Sequence, residues 1–294
     1  RRSACPLQPR SSPSAPMILV TAAASKTGRL VMSALAERGL ACRAGVRRPD
    51  GPGAVRLDLA DPATWPGALD GAAGVFLLRP PALAAMGRTL VPFVDAVRAR
   101  GAGPIVFLSV AGAENNRLLP HAAVERHLIA GPRDWTLLRP GYFAQNLEDA
   151  FLADIRDAGR IALPAGAGRV AFVDLRDVAA VAAAALADPG RHAGAAWTLT
   201  GPRAVGFDEV ARLLSAATGR PIAYRRMTPL AYAARLARSG MPAMQVLVQT
   251  ILNTGLRFGQ AERVDPTMQR LLGRPATDIA DYIRDHADLW RARS

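Results

Sequence analysis

The stretch MILVTAAASKTGR, residues 17 to 29, holds the first groups of this sequence that could do chemistry. An apolar run, Met17 to Val20, ends in small residues and feeds the helix-like segment LVMSALAERGL. A strand, turn and helix of this kind present backbone N–H groups and a positive helix end to a pyrophosphate. Glycines serve three purposes there: the tight turn, the close approach of phosphate, and helix–strand packing. The GxxGxxG spacing falls on Ala22, Ser25 and Gly28, so only the packing glycine is present. Ala22 and Ser25 are small enough to keep the turn. The Ser25 hydroxyl or the Lys26 ammonium would then donate to phosphate, with Thr27 beside them at the helix start. The alternative is a degenerate loop that no longer holds a dinucleotide.

The end of the second strand discriminates between cofactors. An acid there accepts the ribose 2′-OH of NAD, whereas an arginine accommodates the 2′-phosphate of NADP. The sequence gives Val46-Arg47-Arg48-Pro49, with Asp50 only after the proline. If a dinucleotide binds, Arg47 favours NADP(H); otherwise these are two solvated surface arginines.

Such groups need a scaffold. From Met17 strand-like and helix-like segments alternate, which predicts a doubly wound parallel sheet with helices on both faces. Strands are expected at 41 to 46, 55 to 59, 74 to 78, 104 to 109 and 135 to 140, and helices over Asp61 to Leu69, Leu83 to Arg100 and His121 to Ala130. Six strands by about residue 140 make a Rossmann α/β unit, placed at 17–150. Residues 151–294 form a smaller mixed α/β portion over the carboxyl edge of the sheet. Within it a short strand is expected near Ile161, a helix capped by Asp174 or Asp177, strands at WTLTG and IAYRRM, and a helix ended by Gly219.

The composition excludes several classes. Of 294 residues 50% are apolar, enough for a full core. The longest alanine-rich run, from Val178, falls short of the roughly 20 residues of a membrane span. Residues 1–16 read as a disordered tail or a cloning or start-site remnant. Cys5 and Cys42 are the only cysteines, too few for a disulfide framework or a zinc site, so no metal and a reducing cytoplasm are expected. The net charge is +13, but the arginines are scattered and no basic helix is interleaved with aromatics. Nucleic acid is therefore not the expected partner; the excess charge favours anionic ligands.

The segments MILVTAAASKTGRLVMSALAERG, VRRP, RLDLAD, GVFLLRPP, IVFLSVAGAE, HAAVERHL, WTLLRPGYFAQNL and FVDLRDVAAVAA resemble, in order and spacing, the NmrA-like atypical short-chain dehydrogenase/reductases. Within that family the likeness is to the bacterial NAD(P)H-dependent quinone, azo-dye and triphenylmethane reductases, and it runs from Met17 to about Trp290. It implies cofactor contacts at the first turn, at Arg47, at Asp58 and Leu59 near adenine, at Leu78 and Arg79, and along Ser109, Val110 and Ala111. Two departures stand out. Ala22, Ala24 and Ser25 replace the Gly, Thr and Gly of the family's turn, and Arg79 stands where a small hydroxyl residue is common. An arginine near the nicotinamide side would hold an acidic substrate or partly fill the site.

Ordinary members of the superfamily use a Tyr whose pKa is lowered by a Lys four residues on, with a Ser nearby. The sole lysine here is Lys26, so that pair is missing, and His121-Ala-Ala-Val-Glu125 falls in its place. Ser109 keeps the serine-like position. His121, as proton donor or helix cap, and Tyr142, in the PGYF loop, are the remaining catalytic candidates. Hydride transfer to a quinone or activated double bond tolerates this, since water can supply the proton. The expected function is NADP(H)-dependent reduction of a quinone-like or conjugated aromatic molecule, with a homo-oligomer left open. The alternatives are a non-redox cyclase, isomerase or lyase on the same scaffold, and a non-catalytic NADP(H)-responsive sensor.

Overall fold

A computed structural model describes residues 17–80 and 86–291. The expectations for residues 1–16 and for a helix start at Leu83 lie outside the described residues. Eleven strands are present among them: β1 Met17–Val20, β2 Cys42–Val46, β3 Ala54–Arg56, β4 Ala72–Leu77, β5 Ile105–Leu108, β6 Trp135–Pro140, β7 Arg160–Leu163, β8 Arg169–Val170, β9 Ala195–Leu199, β10 Val205–Gly206 and β11 Ala223–Arg226. Seven form one parallel sheet in the order β3-β2-β1-β4-β5-β6-β9. The chain leaves β3 and re-enters on the far side of β1, so the topological switch point lies between β1 and β4. Ligands of such sheets bind outside the carboxyl ends at that crevice.

The apolar strands are apolar because both faces are covered. β5 is buried along its whole length. On one face the helices Lys26–Glu37 and Leu175–Ala187 pack Val31, Leu35, Val178 and Val181 against Ile18 and Phe76. On the other, Met86–Ala99 and Pro120–Ala130 pack Leu90, Phe93, Val97 and Leu128 against Leu77 and Phe107.

Beyond β6 a second core gathers Phe151, Phe172, Phe207, Tyr282 and Trp290. It is enclosed by the pairs β7–β11 and β8–β10 and by the helices that follow. The helix Phe207–Thr218 ends as expected at Gly219, whose φ of +72° only glycine adopts freely. Asp174 caps the helix Leu175–Ala187 by accepting from the Arg176 N–H. That helix and β9 belong to the sheet layers although they follow residue 150. The reason is topological: the edge of β6 is completed only when the chain returns from the second core. No helix of the described residues is long and apolar enough to cross a membrane.

Candidate active site

At the switch point Thr21, fully buried, fastens the β1 exit to β4. Its Oγ1 accepts from the Leu78 N–H at 2.8 Å and donates to the Leu78 carbonyl at 3.1 Å. The next residue, Ala22, has φ +48°, the sole left-handed residue other than glycine among those described. The turn has thus kept the conformation for which glycine is suited while carrying a Cβ. The Ser25 N–H donates to the Ala22 carbonyl at 3.0 Å, and Ser25 then becomes the N-cap of the helix Lys26–Glu37.

Gly28 shows why the helix can sit so close. A Cβ there would lie 2.6 Å from both the Ala22 carbonyl oxygen and the Ala23 Cα. The Ser25 Oγ accepts from the Gly28 N–H at 3.0 Å, which leaves the N–H groups of Lys26 and Thr27 without intrahelical acceptors. Those groups and the helix dipole form an anion cradle. Because Ser25 is spent as a cap, only Ala22 is worth converting. Ala22→Gly is expected to raise stability by about 1 kcal/mol, by relief of the left-handed alanine, and to tighten NADPH. Urea denaturation and calorimetric titration check it; unchanged or weaker NADPH binding would show that the Ala22 Cβ does not face the phosphates.

The Lys26 ammonium, expected at the phosphates, is instead held by Glu148 at 2.8 Å and Asp149 at 2.7 Å. Burial lowers its pKa, but the hydrogen bonds to those carboxylates outweigh this and hold it above the ordinary lysine value. It clamps the first turn to the segment after β6.

Arg47 stands exposed just past β2 and, like Arg48, has no ion pair among the described residues. Asp58 follows β3; its carboxylate accepts from the Ala60 N–H at 2.9 Å, and its carbonyl accepts from the Trp65 indole at 3.0 Å. Leu59 is buried beside it. Leu78 and Arg79 leave β4, while Ser109 and Val110 leave β5, so all the cofactor-side candidates lie along one carboxyl edge.

The catalytic candidates separate. Ser109 is buried, and its hydroxyl donates to Glu125 Oε1 at 2.5 Å. Glu125 is itself buried and receives Arg139 in a two-pronged pair, Nε to Oε1 at 3.0 Å and Nη2 to Oε2 at 2.6 Å. This network joins the end of β5, β6 and the helix Pro120–Ala130, and Ser109, the serine-like position, is one of its members. His121 sits in the first turn of that helix, its ring centroid 6.2 Å from that of Phe107. It does not cap the helix, whose N-cap is Leu119, and its Nδ1 is buried with no hydrogen-bond partner among the described residues. Burial, then the charge of Arg79, pushes its pKa down to about 4, so the imidazole is neutral at neutral pH.

Tyr142 packs edge-on against Phe172, with centroids 5.6 Å apart, and its hydroxyl donates to Asn253 Oδ1 at 3.4 Å. Burial and the neighbouring Tyr232 hold its pKa above the ordinary tyrosine value. It stays a protonated phenol, its one hydrogen given to Asn253 Oδ1. Asn253 Nδ2 in turn donates to the Tyr232 hydroxyl at 3.3 Å. Sequence reasoning missed Asn253 and Tyr232, and gave no role to Thr21 and Arg139 although both lie at the strand ends where ligands bind. Thr21 was discoverable as the hydroxyl closing the first strand, but Asn253 lies 111 positions from Tyr142 and nothing local announces the pairing.

The sheet order, the crevice and the cradle are those of a Rossmann-type dinucleotide-binding fold. A family model described as NAD(P)H-binding matches residues 22–189, and the chain belongs to that family. It is 32% identical to the NAD(P)H azoreductase of Xenophilus azovorans, over 94% of this chain and 100% of that protein. With the (4-alkanoyl-5-oxo-2,5-dihydrofuran-3-yl)methyl phosphate reductase of Streptomyces griseus the identity is 33%, over 93% and 99%. The NADPH-dependent quinone oxidoreductase of Escherichia coli, solved with NADPH, superposes with a TM-score of 0.81 at 25% identity, covering 92% of this chain and 99% of that one. The protein is thus an NAD(P)H-binding member of a reductase family, and the resemblance noted in its motifs holds over nearly the whole chain.

Proposed function

We propose that this protein is an NADPH-dependent reductase of a quinone-like or other conjugated aromatic small molecule. The observation that carries the reading is the geometry of the first turn: Gly28 allows the close helix approach, and Lys26 and Thr27 offer open N–H groups to a pyrophosphate. Arg47, exposed at the end of β2, is the group for the 2′-phosphate. The relatives, an azoreductase and a quinone oxidoreductase, support the substrate class.

When bound, NADPH supplies a hydride. The chain would supply orientation of the bound groups. Leu78 and Val110 line the edge where the nicotinamide would lie; the Tyr142 hydroxyl, whose one hydrogen goes to Asn253 Oδ1, would have to leave that acceptor to donate to a substrate oxygen or nitrogen. Neutral His121 polarises without releasing a proton, and water supplies the proton that completes the reduction. The test is NADPH consumption with 1,4-naphthoquinone and with a simple azobenzene, alongside thermal shift with each of the four nicotinamide cofactors. A shift without turnover would replace the reading with that of a sensor; no shift would replace it with non-redox chemistry.

Cofactor choice gives a separate prediction. Arg47→Ala is expected to weaken NADPH at least tenfold while leaving NADH nearly unchanged, because an arginine–phosphate contact is strong and directional. Equal losses in titrations with the two cofactors would remove the basis for the NADP preference.

A further inference from the structure

We propose that the helix Ala243–Gly255 is a membrane-surface anchor, laying its outer face into the headgroup layer of an anionic bilayer while flanking arginines meet the lipid phosphates. The inference goes beyond the reductase reading and does not depend on it. The helix reads AMQVLVQTILNTG, carries no charged side chain, and buries one residue of its thirteen, Asn253. Asn253 fixes it in place. Its Nδ2 donates at 3.3 Å to the hydroxyl of Tyr232, on the neighbouring helix Pro229–Arg238, and its Oδ1 accepts from Tyr142. Met244, Leu247, Val248, Ile251 and Leu252 recur at helical spacing on the opposite side and are between 42% and 69% exposed. Phe258, just beyond the helix, is 79% exposed. A helix this apolar is ordinarily covered, and a contiguous exposed patch of such side chains marks an interaction surface.

Charge complementarity selects the occupant. From Val210 to Ala261 the sequence has seven arginines and no Asp or Glu. Arg226 and Arg235 are paired, with Asp208 and Asp154. Arg238, at the end of the preceding helix, and Arg257, two residues past the anchor, are exposed and have no ion pair among the described residues. The apolar stripe is thus bracketed by positive charge. A second copy of the chain is disfavoured there, because it would bring another net charge of +13 and the same arginines with it. An anionic lipid surface offers both complements at once, phosphates for the arginines and acyl chains just beneath them for the stripe. Each basic residue near such a surface strengthens binding about fivefold. Thirteen residues rise about 20 Å, short of the roughly 30 Å hydrocarbon core, so the helix lies along the interface and does not cross it.

Flotation at physiological salt with vesicles of equimolar phosphatidylcholine and phosphatidylglycerol, and with vesicles of phosphatidylcholine alone, tests this. The wild type is expected to bind the mixed vesicles at least tenfold more tightly than the neutral ones. Leu247→Gln with Ile251→Gln keeps every charge and is expected to weaken binding to the mixed vesicles at least tenfold. Arg238→Gln with Arg257→Gln keeps the stripe and is expected to weaken it at least tenfold as well. All four positions are exposed, so unchanged melting temperatures are expected and show that the fold is intact. No binding to the mixed vesicles, or equal binding to both kinds, would overturn the proposal. So would binding undiminished in Leu247→Gln with Ile251→Gln, since net charge alone would then hold the protein. Sedimentation velocity without lipid covers the other occupant. A wild-type dimer that Leu247→Gln with Ile251→Gln dissociates would assign the face to a second copy and overturn the anchor.

Discussion

Glu125→Ala is expected to lower the unfolding free energy by about 3–5 kcal/mol, the range for breaking a buried ion pair from one side. The Glu125 side chain is 3% exposed and that of Arg139 13%. Removing the carboxylate strands the guanidinium in a poorly solvated site and deprives the Ser109 hydroxyl of its acceptor. The remaining Glu114 contact, at 3.5 Å, is too long to replace a two-pronged pair. The double variant Glu125→Leu with Arg139→Met removes both charges and is expected to cost much less, since it leaves no unpaired ion. Urea denaturation of the three proteins decides it. If the double variant is as unstable as the single one, the site matters through shape rather than through charge.

Gly28→Ala is expected to damage both stability and cofactor binding. The added methyl would meet the backbone of Ala22 and Ala23 at 2.6 Å, and backbone cannot swing aside as a side chain can. The helix Lys26–Glu37 must back away from β1, at a cost of about 3 kcal/mol by comparison with overpacked cores. That shift also carries the Lys26 and Thr27 N–H groups away from the pyrophosphate. NADPH affinity is expected to fall at least tenfold, or about 1.4 kcal/mol. Calorimetric titration below the melting transition separates the two effects. A variant that melts early but binds NADPH with unchanged affinity would show that the cradle is not the phosphate site.

The sequence by itself determined the repeating strand–helix layout, because hydrophobic period and turn residues are local signals. The β1 turn, the helix caps at Asp174 and Gly219, and the arginines after β2 were all legible from neighbouring residues. Even the missing glycines could be read, since Ala22 occupies a spacing that asks for glycine. Only the tertiary structure decided how the candidate groups are employed. Lys26 meets Glu148 and Asp149 across more than a hundred residues, Ser109 meets Glu125 and through it Arg139, and Tyr142 meets Asn253 from near the end of the chain. The physical reason is that ion pairs and buried hydrogen bonds depend on distance in space, and a parallel sheet brings to one edge residues that no local pattern connects. The same holds for β9: a strand at WTLTG was visible, but its place beside β6 was fixed by the return of the chain from the second core.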